Sequence, residues 1–210
     1  TTEMFPYQED SNMAMMVNKM ALKMHQEGND VRVFMPRFGF ISERKFQLHE
    51  VIRLSGMNII INDLDQPLII KVASLPGERL QVYFIDNEEY FKRKQYYQDE
   101  DNQPFEDNDE RAIFFARGVI ETIKKLNWVP DIIHFNGWMA SFIPIYLKNY
   151  YKTDSYFNDT KLVLSVYNEK DLSLGDNITE KLKFDNIENL KALEEPTIQS
   201  FVIESMNLVD

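Results

Sequence analysis

The sequence predicts an α/β domain with a Rossmann-like, mostly parallel sheet, helices on both faces, and a β-hairpin insertion around residues 50–75. Strand-like and helix-like stretches alternate on both sides of that insertion, as they do in the strand–helix–strand units of parallel sheets. A short apolar run at 132–135 is followed directly by polar residues, as at the carboxyl end of a strand that carries a ligand site. Three β-rich runs occupy 51–85, and this spacing is typical of an antiparallel insertion.

The N-terminal part is predicted to form a helix over 11–28 and then a strand over 31–35. Its apolar residues recur at helical spacing: Met13, Val17, Met20, Ala21 and Met24. Ser11 or Asn12 can cap this helix and Gly28 can end it. The residues before Ser11 resemble the end of a strand whose beginning is missing, and the C-terminus also stops on an apolar run. We therefore expect the chain to be a piece of a longer protein.

The middle of the chain is predicted to form antiparallel strands instead of further strand–helix–strand units. Runs at 51–61, 68–73 and 80–85 are rich in β-branched residues, and the turn residues 62–65 separate the first two. These runs predict a hairpin that leads into a core strand. Residues 92–108 are polar, acidic and aromatic and are expected to form an exposed loop, which at this length is either functional or mobile.

The C-terminal half is predicted to begin with its clearest helix, over 109–126. Asn108 can cap this helix, while Asp109, Glu110 and the lysines at 124 and 125 suit its two ends. The remaining expected elements are a strand at 132–135, a helix at 138–149 kinked by Pro144, a strand at 161–166, a charged and weakly helical stretch at 168–196, and a last helix from Thr197.

Composition excludes several classes of function. The 210 residues suffice for one substantial core, and one domain is the default. The formal net charge of −11 makes nucleic acid and membranes poor partners, because an acidic surface repels phosphate groups. The absence of cysteine excludes disulfides and thiol catalysis and fits a reducing compartment, so the cytoplasm is the expected location. No apolar run is long enough to span a membrane.

Short motifs follow one another along nearly the whole chain: Glu3-x-x-Pro6-Tyr7, Val31-Arg32-Val33-x-x-Pro36-Arg37-Phe38-Gly39, Val82-Tyr83-Phe84-Ile85-Asp86-Asn87-x-x-Tyr90-Phe91, Asp107-Asn108-x-x-Arg111-x-x-Phe114-Phe115 and Pro130-Asp131-Ile132-Ile133-His134-x-x-x-Trp138. Their order and spacing resemble those of the bacterial glycogen and starch synthases. The resemblance is to the N-terminal starch synthase catalytic domain, which is half of the two-domain GT-B fold of retaining glycosyltransferases.

The resemblance implies that 1–210 is one N-terminal domain from which the C-terminal, donor-binding domain is absent. It also implies transfer of glucose from ADP-glucose to an α-1,4-glucan, with no cofactor beyond that donor. The family's reaction occurs between the two domains. Since this chain corresponds to one of them, we expect it to be inactive alone and to act with a C-terminal domain or a partner chain.

The first departure from the family concerns a phosphate-binding loop. Relatives carry Lys-x-Gly-Gly after the first strand, where glycines let backbone N–H groups approach the donor phosphates. Here Glu9 stands in place of the lysine, and Ser11 and Asn12 stand in place of the glycines. Because a carboxylate repels a pyrophosphate and Cβ atoms block a close approach, we expect an ordinary capped helix start at this loop.

The second departure lies in the marker segment, where the family has His-x-His-x-Trp. His134 and Trp138 are kept, but Asn136 replaces the second histidine, which is thought to contact the transferred sugar. Asparagine can bond a sugar hydroxyl but cannot carry a proton near pH 7. His134 suits a structural role at the end of an apolar strand, and Trp138 suits either packing or stacking on a sugar ring.

Two further places resemble polar sites of the family. Asp107 and Asp109 resemble acidic residues that face the acceptor glucan, although helix capping is the simpler explanation of them. Asn168, in a Tyr-Asn pair where relatives have His-Asn, is a possible hydrogen-bond donor. No metal site is expected, because His25 and His49 lack ligand spacing with any other histidine.

Two functions remain open. The chain is either a glycogen or starch synthase domain that needs its second half, or a non-catalytic glucan-binding or regulatory module derived from such an enzyme. A signalling domain with a similar sheet lacks support, because no acidic phospho-acceptor cluster follows its strands. Both open functions require a sugar-sized hollow beside Trp138, at the same end of the sheet as the first loop.

Overall fold

The computed structural model describes residues 1–172, 174 and 177–210. The helices and strands follow one another in this order: α1 (Asn12–Gln26), β1 (Arg32–Pro36), α2 (Glu43–Phe46), β2 (His49–Glu50), β3 (Met57–Ile61), β4 (Leu64–Ser74), β5 (Gln81–Asp86), α3 (Glu88–Phe91), α4 (Asn108–Lys125), β6 (Ile132–Asn136), a 3₁₀ turn (Trp138–Ser141), α5 (Phe142–Lys148), β7 (Lys161–Ser165), α6 (Ile178–Phe184) and α7 (Ile198–Met206). Short 3₁₀ turns also occur at Ser155–Phe157 and Lys191–Leu193.

Two parallel strand pairs form the core of the α/β fold, whose class is confirmed. β1 pairs with β5, with Arg32 opposite Gln81, and β6 pairs with β7, with Ile132 opposite Lys161. The first residues of the chain lie between these pairs. The backbone nitrogen of Thr1 donates to Phe34 of β1 at 2.9 Å, and that of Thr2 donates to Asn136 of β6 at 3.0 Å. The N-terminal segment therefore joins the two pairs into one layer.

The predicted hairpin insertion is also confirmed. β3 and β4 form an antiparallel pair around the turn at Asn62 and Asp63, and β4 continues the sheet beside β5. Its first strand is shorter than expected, and the prediction of β structure over 51–56 is wrong. Those residues form turns between β2, which pairs with β4 at His49 and Glu50, and β3, which pairs with it from Met57 onwards; Ile52 in these turns is 83 % exposed.

Helix α4 occupies the centre of the core. The sequence predicts one broad apolar face, but nearly every residue from Asn108 to Ile123 is buried. The hairpin insertion covers the side of α4 that would otherwise be exposed, and α5 packs on another side. Gly118 permits close packing of α4 on the sheet, because a Cβ there would lie 2.9 Å from the side chain of Ile85 in β5 and 3.2 Å from that of Leu68 in β4.

Three local predictions are corrected by the structure. Asn108 is the first residue of α4 rather than its cap, because its side chain donates to the backbone of Tyr97 and accepts from Arg111. The expected helix over 138–149 divides into a 3₁₀ turn and α5, which places Pro144 in the first turn of α5, where a missing N–H is tolerated. The loop at 92–108 is not simply exposed, since Tyr97 packs against Phe38 and Trp138.

The predicted C-terminal elements agree with the structure. α7 begins after Thr197, whose side chain caps the helix, and the stretch at 168–196 contains the short helix α6. Positions 173, 175 and 176 of that stretch lie outside the described residues. In the part of the chain that the structure describes, no helix has the length and apolar character that crossing a membrane requires.

Candidate functional site

A cavity of about 720 Å³ opens where the loops after several strands converge. Its walls come mainly from four parts of the chain, with Ile198 of α7 as a further contact: the first loop with the start of α1, the loop that follows α3, the 3₁₀ turn after β6, and the loop after β7. These are the carboxyl ends of parallel strands, where ligands bind in open α/β sheets. The first loop and Trp138 line the same cavity, so the expected hollow exists at the expected end of the sheet.

One wall of the cavity is aromatic. Trp138 lies edge-on to Tyr97 with 5.2 Å between ring centroids, and Tyr96 packs against Phe38 at 5.0 Å. Tyr167 faces them from the loop after β7. Trp138 is only 1 % exposed, and its indole nitrogen has no hydrogen-bond partner in the part of the chain that the structure describes. Leaving a buried donor unpaired costs free energy.

The first loop is built as a helix cap. The side chain of Ser11 accepts a hydrogen bond from the backbone of Ala14 at 3.2 Å and donates to the carboxylate of Glu3. Ser11 and Asn12 line the cavity, whereas Glu9 lies outside it and pairs with Lys45 at 3.6 Å. A hydroxyl that already caps α1 and bonds a carboxylate is not a phosphate donor.

The marker segment holds β6 and β7 together. Asn136 is 3 % exposed and accepts a hydrogen bond from the hydroxyl of Tyr167 at 2.8 Å, so Tyr167 stands between Asn136 and the cavity. His134 pairs its Nε2 with the hydroxyl of Ser165 at 2.8 Å, and burial lowers the pKa of its imidazole. Both side chains instead line a second, mainly apolar cavity of about 360 Å³ between β1 and β6.

The acidic residues at the start of α4 do not reach the cavity. Asp107 forms a bidentate pair with Arg93, with both contacts at 2.6 Å. Asp109 is buried and accepts from Lys181 of α6 at 2.7 Å; burial raises the pKa of its carboxyl group, and Lys181 opposes that shift. Of the polar candidates outside the first loop, Asn168 is exposed and lines the cavity.

Two cavity carboxylates, Glu3 and Glu169, are not among the site residues predicted from the sequence, although Glu3 belongs to the first motif. Burial raises the pKa of Glu169 to about 7, the backbone N–H of Trp138 opposes this shift, and the charge of Glu3 adds to it. Glu169 directly follows the Tyr-Asn pair after β7. The rule that places ligand contacts beyond the carboxyl ends of parallel strands would have included it.

The cavity is acidic overall. Its described lining contains the carboxylates of Glu3, Asp99 and Glu169 and one basic side chain, Lys170. The amine of Lys170 donates to the amide of Gln98 at 3.3 Å across the cavity mouth. Among all the residues that the structure describes, no group of three or more acidic or histidine side chains is arranged to hold a metal ion.

Comparison with known proteins gives concordant matches. The chain matches the sequence model of the starch synthase catalytic domain over residues 1–207. Glycogen synthase of Chlorobium limicola is 40% identical over 167 residues, which are 79% of this chain and 34% of that protein. The corresponding protein of Chlorobium phaeobacteroides is 38% identical with the same coverage. This chain thus spans about a third of these relatives' length.

A solved structure agrees with these relatives. The catalytic domain of starch synthase IV from Arabidopsis thaliana, bound to ADP and acarbose, superposes with a TM-score of 0.68 over 82% of this chain and 34% of that chain. The sequence identity is 18%. At this identity, the superposition supports the fold and carries no residue assignments.

Proposed function

Because this chain belongs to the starch synthase catalytic domain family, we propose that it forms the glucan-binding half of a glucosyltransferase. It binds an α-1,4-glucan in the cavity beside Trp138, and it transfers no glucose without a second domain. The donor proposed for the complete protein is ADP-glucose. The observation that carries the proposal is the 720 Å³ cavity, whose wall combines aromatic rings with amide and hydroxyl side chains.

The chemistry of the lining fits an uncharged sugar. Aromatic rings stack on the apolar faces of sugar rings, and the partly exposed rings of Tyr96 and Tyr167 supply such surfaces. Side-chain amides both donate and accept, which suits hydroxyl groups, and Asn12, Asn168 and neighbouring glutamines supply them. A cavity of this volume is of the size that small-molecule ligands occupy.

The charge of the lining does not fit the diphosphate of a nucleotide sugar. The described lining holds three carboxylates, those of Glu3, Asp99 and Glu169, and one lysine. Like charges repel strongly in a partly desolvated site. Since Ser11 is already used as a helix cap and Asn12 is uncharged, the first loop offers no positive charge to the phosphates. We therefore infer that a second domain binds the nucleotide-sugar donor and that this chain binds the glucan.

The requirement for a second domain follows from the chemistry of transfer and from the length of the relatives. Retaining glucosyl transfer needs a held donor and stabilisation of the departing diphosphate. The relatives are about three times as long as the matched part, since that part is 34% of each. The Arabidopsis protein, whose structure contains ADP and acarbose, is likewise matched over 34% of its chain.

Binding is tested by isothermal titration calorimetry with maltohexaose. The wild-type chain is expected to bind in the micromolar to millimolar range, and Asn168→Ala is expected to bind about fivefold more weakly because it loses a hydrogen bond worth roughly 1 kcal/mol. Asn189→Ala is the matched control, since Asn189 is exposed and lies outside the cavity lining. An absence of heat at millimolar glucan would contradict the proposal.

A second candidate is a non-catalytic glucan-binding or regulatory module. It is favoured by Glu9, Ser11 and Asn136, which replace the lysine, a glycine and a histidine of the family motifs. A transfer assay with isotope-labelled ADP-glucose and a glycogen primer distinguishes the enzyme from the non-catalytic module. Incorporation by the full-length gene product, with none by residues 1–210, supports the enzyme. Glucan binding without incorporation by the full-length product supports the module.

A further inference from the structure

Glu169 holds a distinctive place in the cavity wall. It lies in the loop after β7, between the exposed Asn168 and Lys170, and its side chain extends towards the start of the 3₁₀ turn. There the backbone N–H of Trp138 stabilises its ionised form. The indole nitrogen of the same tryptophan is buried and has no partner among the described residues. A polar ligand in this corner would meet the carboxyl group of Glu169.

The charged groups around Glu169 are mostly acidic. Glu3 faces it from the N-terminal segment and Asp99 lines the same cavity from the loop after α3, while Lys170 is the basic residue of the described lining. The amine of Lys170 is directed to Gln98, and Asp171 is used to hold the backbone of α7. The tyrosines nearby, such as Tyr97, stay neutral because burial raises the pKa of their hydroxyl groups.

We propose that Glu169 is a specificity-determining residue of this cavity, which together with Glu3 excludes sugars that carry phosphate or sulfate groups and leaves the cavity to uncharged glucan. The inference rests on the proposed function and assigns that function's ligand class to a particular side chain. An anionic group placed in this corner meets two carboxylates in a partly desolvated space, where their repulsion is only weakly screened. A neutral oligosaccharide meets hydrogen-bond acceptors instead.

The exclusion is expected to depend on pH. Burial raises the pKa of Glu169 to about 7, so its carboxyl group is ionised well above pH 7 and largely protonated at pH 6. Repulsion of an anionic sugar should therefore be full at pH 8 and reduced at pH 6. Binding of a neutral sugar has no such Coulomb term.

The test compares two ligands that differ in one charge, maltotriose and maltotriose carrying one sulfate ester, whose charge is constant between pH 6 and 8. At pH 8 the wild-type chain is expected to bind the sulfated sugar about five- to tenfold more weakly than maltotriose, as Coulomb repulsion in a partly solvated site predicts. In Glu169→Gln, which keeps the shape without the charge, the difference should fall to about two- to threefold, the part that Glu3 contributes. The wild-type difference should also shrink at pH 6.

Glu188→Gln is the control, because Glu188 is exposed and lies outside the described cavity lining. It should behave as the wild type at both pH values. A difference between the two ligands that persists unchanged in Glu169→Gln would overturn the inference while leaving the proposed function standing. Failure of the wild-type chain to bind maltotriose would overturn the proposed function, and the assignment of Glu169 with it.

Discussion

Gly137 shows how one residue sets the geometry of the marker segment. Its φ of 87° lies in the left-handed region, and a Cβ at this position would stand 1.8 Å from the side-chain oxygen of Thr2. The N-terminal segment can therefore reach β6 only because this residue has no side chain. The turn that presents Trp138 to the cavity depends on the same backbone conformation.

Replacing this glycine should destabilise the fold strongly. Gly137→Ala combines backbone strain with a steric clash, and we expect a loss of about 2–4 kcal/mol in the free energy of unfolding. Gly28→Ala is the matched control. It also has positive φ but no atom within 4 Å of the added Cβ, so about 1 kcal/mol of strain is expected. Urea denaturation measures both, and equal losses would contradict the crowding by Thr2.

The ionisation of Glu169 should also make the free energy of unfolding depend on pH. Because its pKa is raised to about 7, the stabilising contribution of the protonated carboxyl is present below about pH 4.5 and is lost as pH rises through 7. Relative to Glu169→Gln, the wild type should lose roughly 1–3 kcal/mol of unfolding free energy between pH 5 and pH 8. Urea titrations at both pH values provide the measurement. Parallel pH profiles for the two proteins would show that Glu169 is not buried.

At the scale of elements, α4 is joined to the hairpin insertion and to α6 by one buried ion pair. Arg117 donates to the backbone of Ile60 and to Asp185 at 3.1 Å, and the hydroxyl of Tyr146 donates to the same carboxylate at 2.7 Å. Both charges are almost fully buried. Three parts of the chain that are distant in sequence thus meet at one guanidinium group.

Removing one partner should be costly. Asp185→Ala leaves the guanidinium of Arg117 buried and unpaired, and we expect a loss of about 3–5 kcal/mol. The exposed pair of Lys23 and Glu27 is the control, where Glu27→Ala should cost at most about 0.5 kcal/mol. Thermal and urea unfolding give the values. Losses of similar size at the two sites would mean that the buried pair does not anchor the hairpin.

Helices whose apolar period and caps lie within one stretch of sequence were predictable. Boundaries that depend on contacts with distant residues were not. The period of α1, its Ser11 cap and the glycine after it all lie within one stretch of sequence, and the helix forms there as expected. β3 begins only at Met57, because strand pairing with β4 rather than β-propensity sets its start. Asn108 enters α4 instead of capping it because Tyr97 and Arg111, brought near by folding, use its side chain.

At the scale of the whole molecule, ligand binding should stabilise the fold. A ligand that binds only the folded chain adds about 1.4 kcal/mol at ten times its Kd, which raises the Tm of a domain of this size by about 2–4 °C. Maltohexaose is expected to produce this shift in differential scanning calorimetry. Asn168→Ala should reduce it at the same sugar concentration. Cellohexaose, with the opposite anomeric linkage, is the control, and an equal shift by both sugars would indicate a non-specific effect.

The sequence by itself determined the family, the order of the elements and the place of the site at one sheet edge. These follow from short motifs, hydrophobic periods and the position of polar residues after apolar strands, all of which are local features of the chain. Tertiary structure alone decided which side chains face the cavity. Asn136 lies beneath Tyr167 and Asp109 turns to Lys181, while Glu169 stands in the wall. The reason is physical: four distant segments must pack before any side chain has a direction relative to the cavity.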